Sequence, residues 1–253
     1  MFIDSHSHYD DDRYVSDSDF VLCDLKNHGV DMVINVGCDV QTSTKAAEFA
    51  KKYDFVYVAV GFHPHYACNM TDGALEEIKL LCNNEKVVAW GEIGLDYHYN
   101  YSEKSVQLEK FKIQLEAAKA LSLPVIIHSR EATEDMMSIM RGYGHEAVFH
   151  CYSGSLETAK EIIKLGYYIS FSGTVTYKNA RNLKEAAAWI PSDRYLIETD
   201  CPYLSPEPVR GTRNDSRNLI HTAGCIAALR GITLEQLGKE TTKNTKRLFS
   251  KIK

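Results

Sequence analysis

The feature that most constrains this fold is a regular alternation of short β-rich runs with longer amphipathic segments. Eight such runs in 253 residues match the strand count of a (β/α)8 barrel. A doubly wound open sheet is the alternative, but no Gly-x-Gly-x-x-Gly follows the first run. The predicted strands are Phe2–Ser5, Met32–Val36, Phe55–Val60, Val87–Trp90, Val125–Ile127, Ala147–Phe149, Tyr167–Phe171 and Tyr195–Ile197.

The segments between the predicted strands have helical spacing of apolar residues. No linker or low-complexity stretch divides the chain, so we predict an α/β protein with a single (β/α)8 TIM barrel domain over residues 1–253. C-terminal helices complete it, and the last is expected over roughly residues 234–251. In the segment SVQLEKFKIQLEAAKALSL, the predicted apolar stripe consists of Val106, Leu108, Phe111, Leu115, Ala118 and Leu121.

Composition and charge narrow the class of protein. With 44% hydrophobic residues and no apolar run of about eighteen residues, we expect no membrane span. Asp4 interrupts the N-terminus too early for a secretory signal, and the seven cysteines form no Cys-x-x-Cys pair. These features predict a cytoplasmic protein with reduced thiols. A net charge of −5 excludes a general positive field, so any polyanion must be bound locally.

Polar side chains follow several of the predicted strands at the point where each strand ends. The opening sequence MFIDSHSH places His6 and His8 two residues apart, which puts both imidazoles on one face of a strand. In a (β/α)8 barrel the carboxyl ends of all strands converge on one rim, where catalytic residues lie. The chemistry-bearing residues at these ends are His6, His8, His63, His65, Glu92, Asp96, His128, Arg130, His150, Glu198 and Asp200.

These strand ends predict a metal centre. Several imidazoles and carboxylates buried at one rim would leave charges unpaired without a cation, at a cost of several kcal/mol. A catalytic zinc takes about three protein ligands, and six candidates indicate two ions. Glu92 is expected to bridge them, and Asp200 to accept the proton of a water whose pKa the metal lowers. The predicted ligands are His6, His8, Glu92, His128, His150 and Asp200.

The order of the motifs IDSHSH, GFHPH, GEIGLDY, PVIIHSR, FHCYSG, ETDCPYL and RGTRN resembles that of a known family. Over nearly its whole length the chain is similar to the TatD-type metal-dependent deoxyribonucleases of the amidohydrolase-like barrels. The resemblance implies a barrel with a divalent-metal centre that hydrolyses DNA phosphodiester bonds, as Mg²⁺-dependent exonucleases that trim DNA ends. Carried over residue by residue, it implies the same six ligands.

Two features set this chain apart from a simple Mg²⁺ enzyme of that family. The family usually continues Arg-Asn with Glu and Pro, whereas this chain has Asp215 and Ser216. This difference is expected to change how the loop places the substrate.

Four imidazoles are softer ligands than Mg²⁺ prefers and suit Zn²⁺, Mn²⁺ or Ni²⁺. We therefore expect two divalent ions (Mg²⁺, Mn²⁺ or Zn²⁺), with the ion bound after purification differing from the most active one.

Basic side chains near the strand ends are candidate substrate contacts. His63, His65 and Arg130 flank the predicted metal site, and the Arg130 guanidinium suits bidentate pairing with a phosphate. Arg210 and Arg213 in the loop after the last strand are further candidates. The partner is expected to be DNA, as single strands or ends.

Three tyrosines near the rim, Tyr97, Tyr99 and Tyr101, have two interpretations. They either stack on bases, as in single-strand binders, or pack against the protein, and the sequence favours packing.

The resulting functional hypothesis is a 3′–5′ exodeoxyribonuclease that uses a water activated by two metals. The alternative on the same centre is an ester hydrolase, such as a D-aminoacyl-tRNA deacylase. A cyclic amide hydrolase is less favoured, because strand 4 offers Glu92 and no interior lysine. A non-enzymatic binding protein predicts missing ligands, and none is missing. No protein partner is implied, and we expect a monomer or weak oligomer.

Overall fold

A computed structural model describes residues 1–253 and contains one eight-stranded sheet with its strands in sequence order. An isolated parallel bridge between Ser7 and Cys201 links the first strand to the segment after the last. The predicted (β/α)8 barrel is confirmed. The strands are β1 Phe2–Ser7, β2 Val30–Val36, β3 Val56–Val60, β4 Val87–Asp96, β5 Val125–Arg130, β6 Ala147–Phe149, β7 Tyr168–Phe171 and β8 Tyr195–Ile197.

Helices occupy the segments between the strands, and two helices follow β8, as predicted. The last of them ends at Leu248, earlier than expected. No helix combines the length and apolar character that a membrane span requires. The helices are α1 Ser18–Asp24, α2 Val40–Lys52, α3 Asp72–Leu81, α4 Lys104–Ala120, α5 Thr133–Tyr143, α6 Leu156–Lys164, α7 Arg181–Trp189, α8 Leu219–Arg230 and α9 Leu234–Leu248.

Three strands extend past the carboxyl ends of the apolar runs that predicted them. β1 continues to Ser7, β4 to Asp96 and β5 to Arg130, so the polar residues predicted after these strands mostly lie on them. The parallel register of β4 and β5 runs on through Asp96, which pairs with Arg130. Backbone pairing thus continues where the side chains turn polar, and it fixes the candidate site residues on rigid elements.

The chain divides into two compact units, one of residues Met1–Asn35 with Cys151–Arg247 and the other of Val36–His150 with Leu248–Lys253. In the first unit Phe171 and Tyr195 are fully buried, and in the second Trp90 is. The expectation of a single domain over residues 1–253 stays a prediction.

The buried face of α4 differs from the predicted apolar stripe. Phe111, Leu115 and Ala118 are buried as expected, but Val106 and Leu108 are only half-buried and Leu121 is exposed. The face is completed by two buried glutamines instead. The stripe prediction is therefore wrong for three of its six positions.

The two buried glutamines, Gln107 and Gln114, hold the segments that follow β3 and β4. The Gln114 amide accepts from the backbone N–H of Phe62 and donates to the Phe62 carbonyl. Gln107 accepts from the backbone N–H of Asp96 and donates to the Asp96 carbonyl. Buried polar groups need such partners, so α4 uses amides where an apolar stripe would leave backbone groups unsatisfied.

Candidate metal centre

Glu92 on β4 is the centre of the polar cluster in the second unit. Its Oε1 atom lies 2.7 Å from His150 Nε2, 2.8 Å from His128 Nδ1 and 3.5 Å from His63 Nε2. The ligand atoms of His63, Glu92 and His128 all lie within 4.8 Å of one another. Imidazole nitrogens and a carboxylate oxygen that converge in this way are a donor set suited to a divalent transition metal.

The Glu92 carboxylate is ionised in these surroundings. Burial alone would raise the pKa of Glu92, but the charges of His150 and His63 and the hydrogen bonds of His128 and His150 outweigh it. They hold the pKa of Glu92 well below its usual range. A permanently ionised, buried carboxylate is ready to bind a cation.

Asp96 completes this arrangement from the end of β4. Its Oδ2 atom lies 2.9 Å from His128 Nε2 and 3.0 Å from His65 Nε2. Burial would raise the pKa of Asp96, but hydrogen bonds from His128, His65 and the Tyr99 backbone lower it. We call Glu92, Asp96, His63, His128 and His150 the Glu92 cluster.

Sequence reasoning noticed Asp96 at a strand end but gave it no role. The signal was present, because residues an even number apart on a strand share a face and Asp96 lies four residues beyond Glu92. His128 consequently lies between two carboxylates. Burial lowers the pKa of His128, but its hydrogen bonds to Asp96 and Glu92 raise it by more.

His63 belongs to the Glu92 cluster, and His65 lies directly beside it. The His63 ring is 4.5 Å from the His128 ring and 4.3 Å from the His65 ring. Burial lowers the pKa of His63 well below its usual range and lowers that of His65 to a lesser extent. Their role toward a substrate stays a prediction, while His63 also qualifies as a candidate ligand.

Gly94 lets β4 approach β5 beside the cluster. Its φ of 147° lies in a region that favours glycine, and a Cβ there would stand 1.9 Å from the His128 carbonyl oxygen. A larger residue in the GEIGLDY motif would therefore displace His128.

His6, His8 and Asp200 come together in the first unit, and we call them the Asp200 cluster; their role as metal ligands stays a prediction. The Nε2 atoms of His6 and His8 lie 3.1 Å apart, and Asp200 Oδ1 lies 3.7 Å and 3.4 Å from them. The Asp200 N–H donates to the His6 carbonyl at 2.9 Å. Two imidazoles and a carboxylate oxygen again form a donor set suited to a divalent cation.

The fully buried Asp4 carboxylate supports this second cluster. It accepts hydrogen bonds from the Thr199 N–H and hydroxyl, from the His6 N–H and from the Ser216 hydroxyl. Burial raises the pKa of Asp4 to about 6, although these hydrogen bonds act in the opposite direction. Sequence reasoning missed Asp4, yet it shares a strand face with His6 and His8.

The loop in which the chain departs from the family pattern has a structural role. The Tyr9 hydroxyl donates to Ser216 Oγ at 2.8 Å and accepts from the Ser216 N–H at 3.0 Å. Asp215 forms an ion pair with Arg217 at 2.9 Å. Ser216 thus joins β1 to this loop through its hydroxyl, a contact that proline does not offer.

The three arginines predicted to bind substrate differ in their surroundings. Arg130 is exposed, forms no ion pair with a carboxylate, and has its guanidinium 4.8 Å from the centre of the Tyr99 ring. Arg213 forms an ion pair with Asp17 at 2.6 Å, so its guanidinium is already engaged. Arg210 lies 3.8 Å from Glu207 and over the Tyr177 ring. Their substrate roles stay predictions, best supported for Arg130.

The tyrosines near the cluster do not all pack into the protein. Tyr97 is half-buried and its hydroxyl donates to Asp135 at 2.7 Å. Tyr99 and Tyr101 are exposed by 48% and 66% although both rings contact the His65 ring, so packing covers only part of each ring.

The chain is similar to known proteins over nearly its whole length. A family model described as TatD related DNase matches residues 3–250. The chain is 46% identical to the uncharacterized metal-dependent hydrolase YabD of Bacillus subtilis, covering 98% of this chain and 99% of the relative. It is 32% identical to the 3′-5′ ssDNA/RNA exonuclease TatD of Erwinia tasmaniensis, covering 94% and 95%. The crystal structure of YjjV, a TatD homologue from Escherichia coli, superimposes with a TM-score of 0.93 at 29% identity and covers 98% of each chain.

Proposed function

The chain belongs to the TatD-related DNase family of metal-dependent hydrolases, and from this membership we propose that it is a 3′–5′ exonuclease acting on single-stranded DNA ends. The Erwinia relative named as a ssDNA/RNA exonuclease supports the substrate class. The observation that carries the proposal is the Glu92 cluster, in which one ionised carboxylate meets three imidazoles within 3.5 Å.

The proposed centre holds two divalent cations, Mg²⁺, Mn²⁺ or Zn²⁺. In a (β/α)8 barrel catalytic residues lie at the carboxyl ends of the strands, which supports a role for each cluster in metal binding. When bound, such cations lower the pKa of a water and stabilise the negative charge that develops on the phosphate. The proposed ligands are His6, His8, Glu92, His128, His150 and Asp200.

Two carboxylates have distinct proposed roles. Glu92 is buried and its pKa is held low, so it would hold a metal ion as an anionic ligand. The Asp200 side chain is 15% exposed and lies beside the imidazoles of His6 and His8, so it takes the proton of the attacking water. The new P–O bond forms at that water oxygen, the bond to the sugar oxygen breaks, and solvent protonates the leaving oxygen. Arg130 binds a non-bridging phosphate oxygen.

The test is a 5′-labelled single-stranded oligonucleotide incubated with the protein and Mn²⁺ or Mg²⁺. We expect a ladder of products shortened from the 3′ end, abolished by EDTA and by Asp200→Asn. RNA and a D-aminoacyl-tRNA are tested in parallel. Deacylation without oligonucleotide cleavage would replace the proposal with an ester hydrolase.

We also propose that the protein acts alone, as a monomer or weak oligomer in the cytoplasm. The sequence supports this proposal only through its reduced-thiol composition and the lack of any motif for a protein partner.

A further inference from the structure

Tyr99 and Tyr101 form an exposed pair of parallel rings, which we call the tyrosine platform. Their planes differ by 2° and their centroids lie 5.5 Å apart. The two rings stack on each other and are still 48% and 66% exposed. The pair therefore presents a flat aromatic surface to the solvent.

The segment that carries the tyrosine platform is held by hydrogen bonds to buried groups. Asp96 Oδ1 accepts from the Tyr99 N–H at 3.0 Å. Gln107 Nε2 donates to the carbonyls of Asp96 and Ser102 at 2.9 Å and 2.7 Å. Both ends of the segment are thus fixed before any ligand arrives, and a preorganised surface loses less entropy on binding.

The tyrosine platform is joined to the Glu92 cluster through one histidine. The His65 ring is perpendicular to the rings of Tyr99 and Tyr101, with centroids 5.4 Å and 4.8 Å away and planes at 87° in both cases. His65 Nε2 lies 3.0 Å from Asp96 Oδ2, the same oxygen that contacts His128. A molecule on the platform would lie beside the residues proposed to hold the metal.

The positively charged side chain of Arg130 lies beside the tyrosine platform. The Arg130 guanidinium lies over the Tyr99 ring with its carbon 4.8 Å from the ring centre, so the more exposed Tyr101 ring offers most of the open aromatic surface. An aromatic face beside a guanidinium matches the two parts of a nucleotide, a flat base and an anionic phosphate.

We propose that Tyr99 and Tyr101 bind an unpaired nucleobase next to the scissile phosphate, while Arg130 faces a phosphate of the same strand. This proposal rests on the proposed nuclease function and specifies its substrate. Every base has a π-face, so the platform accepts any base, but the base must be unstacked from a duplex. The platform thus accounts for a preference for single strands without sequence specificity.

The test compares the parent with Tyr99→Ala/Tyr101→Ala on a single-stranded oligonucleotide and on the same oligonucleotide with abasic 3′-terminal positions. We expect the double variant to raise KM about tenfold on the normal strand. On the abasic strand the parent and variant should have similar KM values. Tyr99→Phe/Tyr101→Phe keeps the rings and should restore the parent KM.

Trp189→Ala is the matched control. Trp189 is 40% exposed and has the Lys160 ammonium 5.7 Å from its ring, so it is also an exposed aromatic beside a cation. It ends α7, before β8 begins, and its loss should leave KM unchanged. If the double alanine variant fails to fold, Tyr101→Ser alone tests the more exposed ring, with a smaller increase in KM expected.

The outcomes separate the platform from the nuclease function. If the parent cleaves the normal oligonucleotide and the double alanine variant has the same KM, the platform is overturned. The nuclease function then stays intact. If the parent does not cleave, fluorescence anisotropy with the labelled oligonucleotide in EDTA decides. Binding lost in the double alanine variant but kept in the phenylalanine variant would support the platform, and binding that is equal in all forms or absent from the parent would overturn it.

Discussion

The Glu92 cluster and the Asp200 cluster position their side chains by different means. In the Glu92 cluster, carboxylates and imidazoles hold one another, as when His128 lies between Glu92 at 2.8 Å and Asp96 at 2.9 Å. In the Asp200 cluster, one carboxylate lies 3.7 Å and 3.4 Å from the imidazoles of His6 and His8, and the Asp200 N–H donates to the His6 carbonyl. The first cluster thus pairs an imidazole closely with two carboxylates, whereas the second has a single, more distant carboxylate.

The difference predicts how each cluster responds when one member is removed. Removing a charge from a mutually paired group leaves the remaining charges buried without compensation, which is costly. Removing a side chain held through its backbone leaves the backbone bonds in place. Mutations in the Glu92 cluster should therefore lower the metal content of the protein. Mutations in the Asp200 cluster should mainly lower the cleavage rate.

The largest expected effect is that of Glu92→Gln. Loss of the negative charge shared by three imidazoles should remove most of the bound metal and lower the cleavage rate by at least about a thousandfold. Metal content is measured by inductively coupled plasma mass spectrometry. The control is Glu76→Gln, an exposed carboxylate paired with Lys79, which should match the parent. Full metal content in Glu92→Gln would refute the charge-based account of this cluster.

Asp200→Asn should lower the cleavage rate while leaving the fold intact. The Asp200 N–H bond to His6 remains, so the fold and much of the metal should be retained. The rate should still fall by about a hundred- to ten-thousandfold, because the proposed proton acceptor is lost. Thermal unfolding, metal content and cleavage rate are measured on the same preparation. A rate equal to the parent's would remove Asp200 from its proposed role.

Arg130→Ala and Arg213→Ala compare an arginine that has no carboxylate partner with one that is already paired. Arg130 has no carboxylate partner, so its loss should raise KM by about tenfold at low salt and by less at high salt. Arg213 is engaged by Asp17, so its loss should change KM little and stability by at most about 1 kcal/mol. KM is measured at two salt concentrations. Equal effects of the two variants would show that ion pairing in the free protein does not distinguish these arginines.

The smallest expected effect concerns Asp4, whose carboxylate accepts a hydrogen bond from the His6 N–H. Burial raises the pKa of Asp4 to about 6, so its stabilising contribution is fully present below its unfolded-state pKa and is lost as pH rises through about 6. Relative to Asp4→Asn, the parent should lose about 1 kcal/mol of unfolding free energy between pH 5 and pH 7 in EDTA. Chemical denaturation at each pH measures this difference, and a difference that grows in the parent's favour has the wrong sign.

The sequence predicted those features that depend on local pattern. The short buried strands β6 and β8 have the predicted bounds, because apolar runs bounded by polar residues mark such strands directly. The grouping of His6, His8 and Asp200 also follows from pattern, since strand ends in a barrel share one rim.

Other features depend on partners far away in the chain. The burial of Gln114 on α4 requires the backbone of Phe62, and the role of Ser216 requires Asp4 and Tyr9, more than 200 residues earlier. A polar residue that satisfies a distant buried group has the same local signature as an exposed one. For this reason local pattern indicated the candidate ligands, while the side chains that support them could not be predicted.

The most direct test of the central claim is anomalous X-ray diffraction from crystals of the protein grown with Mn²⁺. We predict anomalous peaks at the Glu92 cluster and at the Asp200 cluster. Anomalous peaks that lie away from both clusters, or no peaks at saturating Mn²⁺, would contradict it.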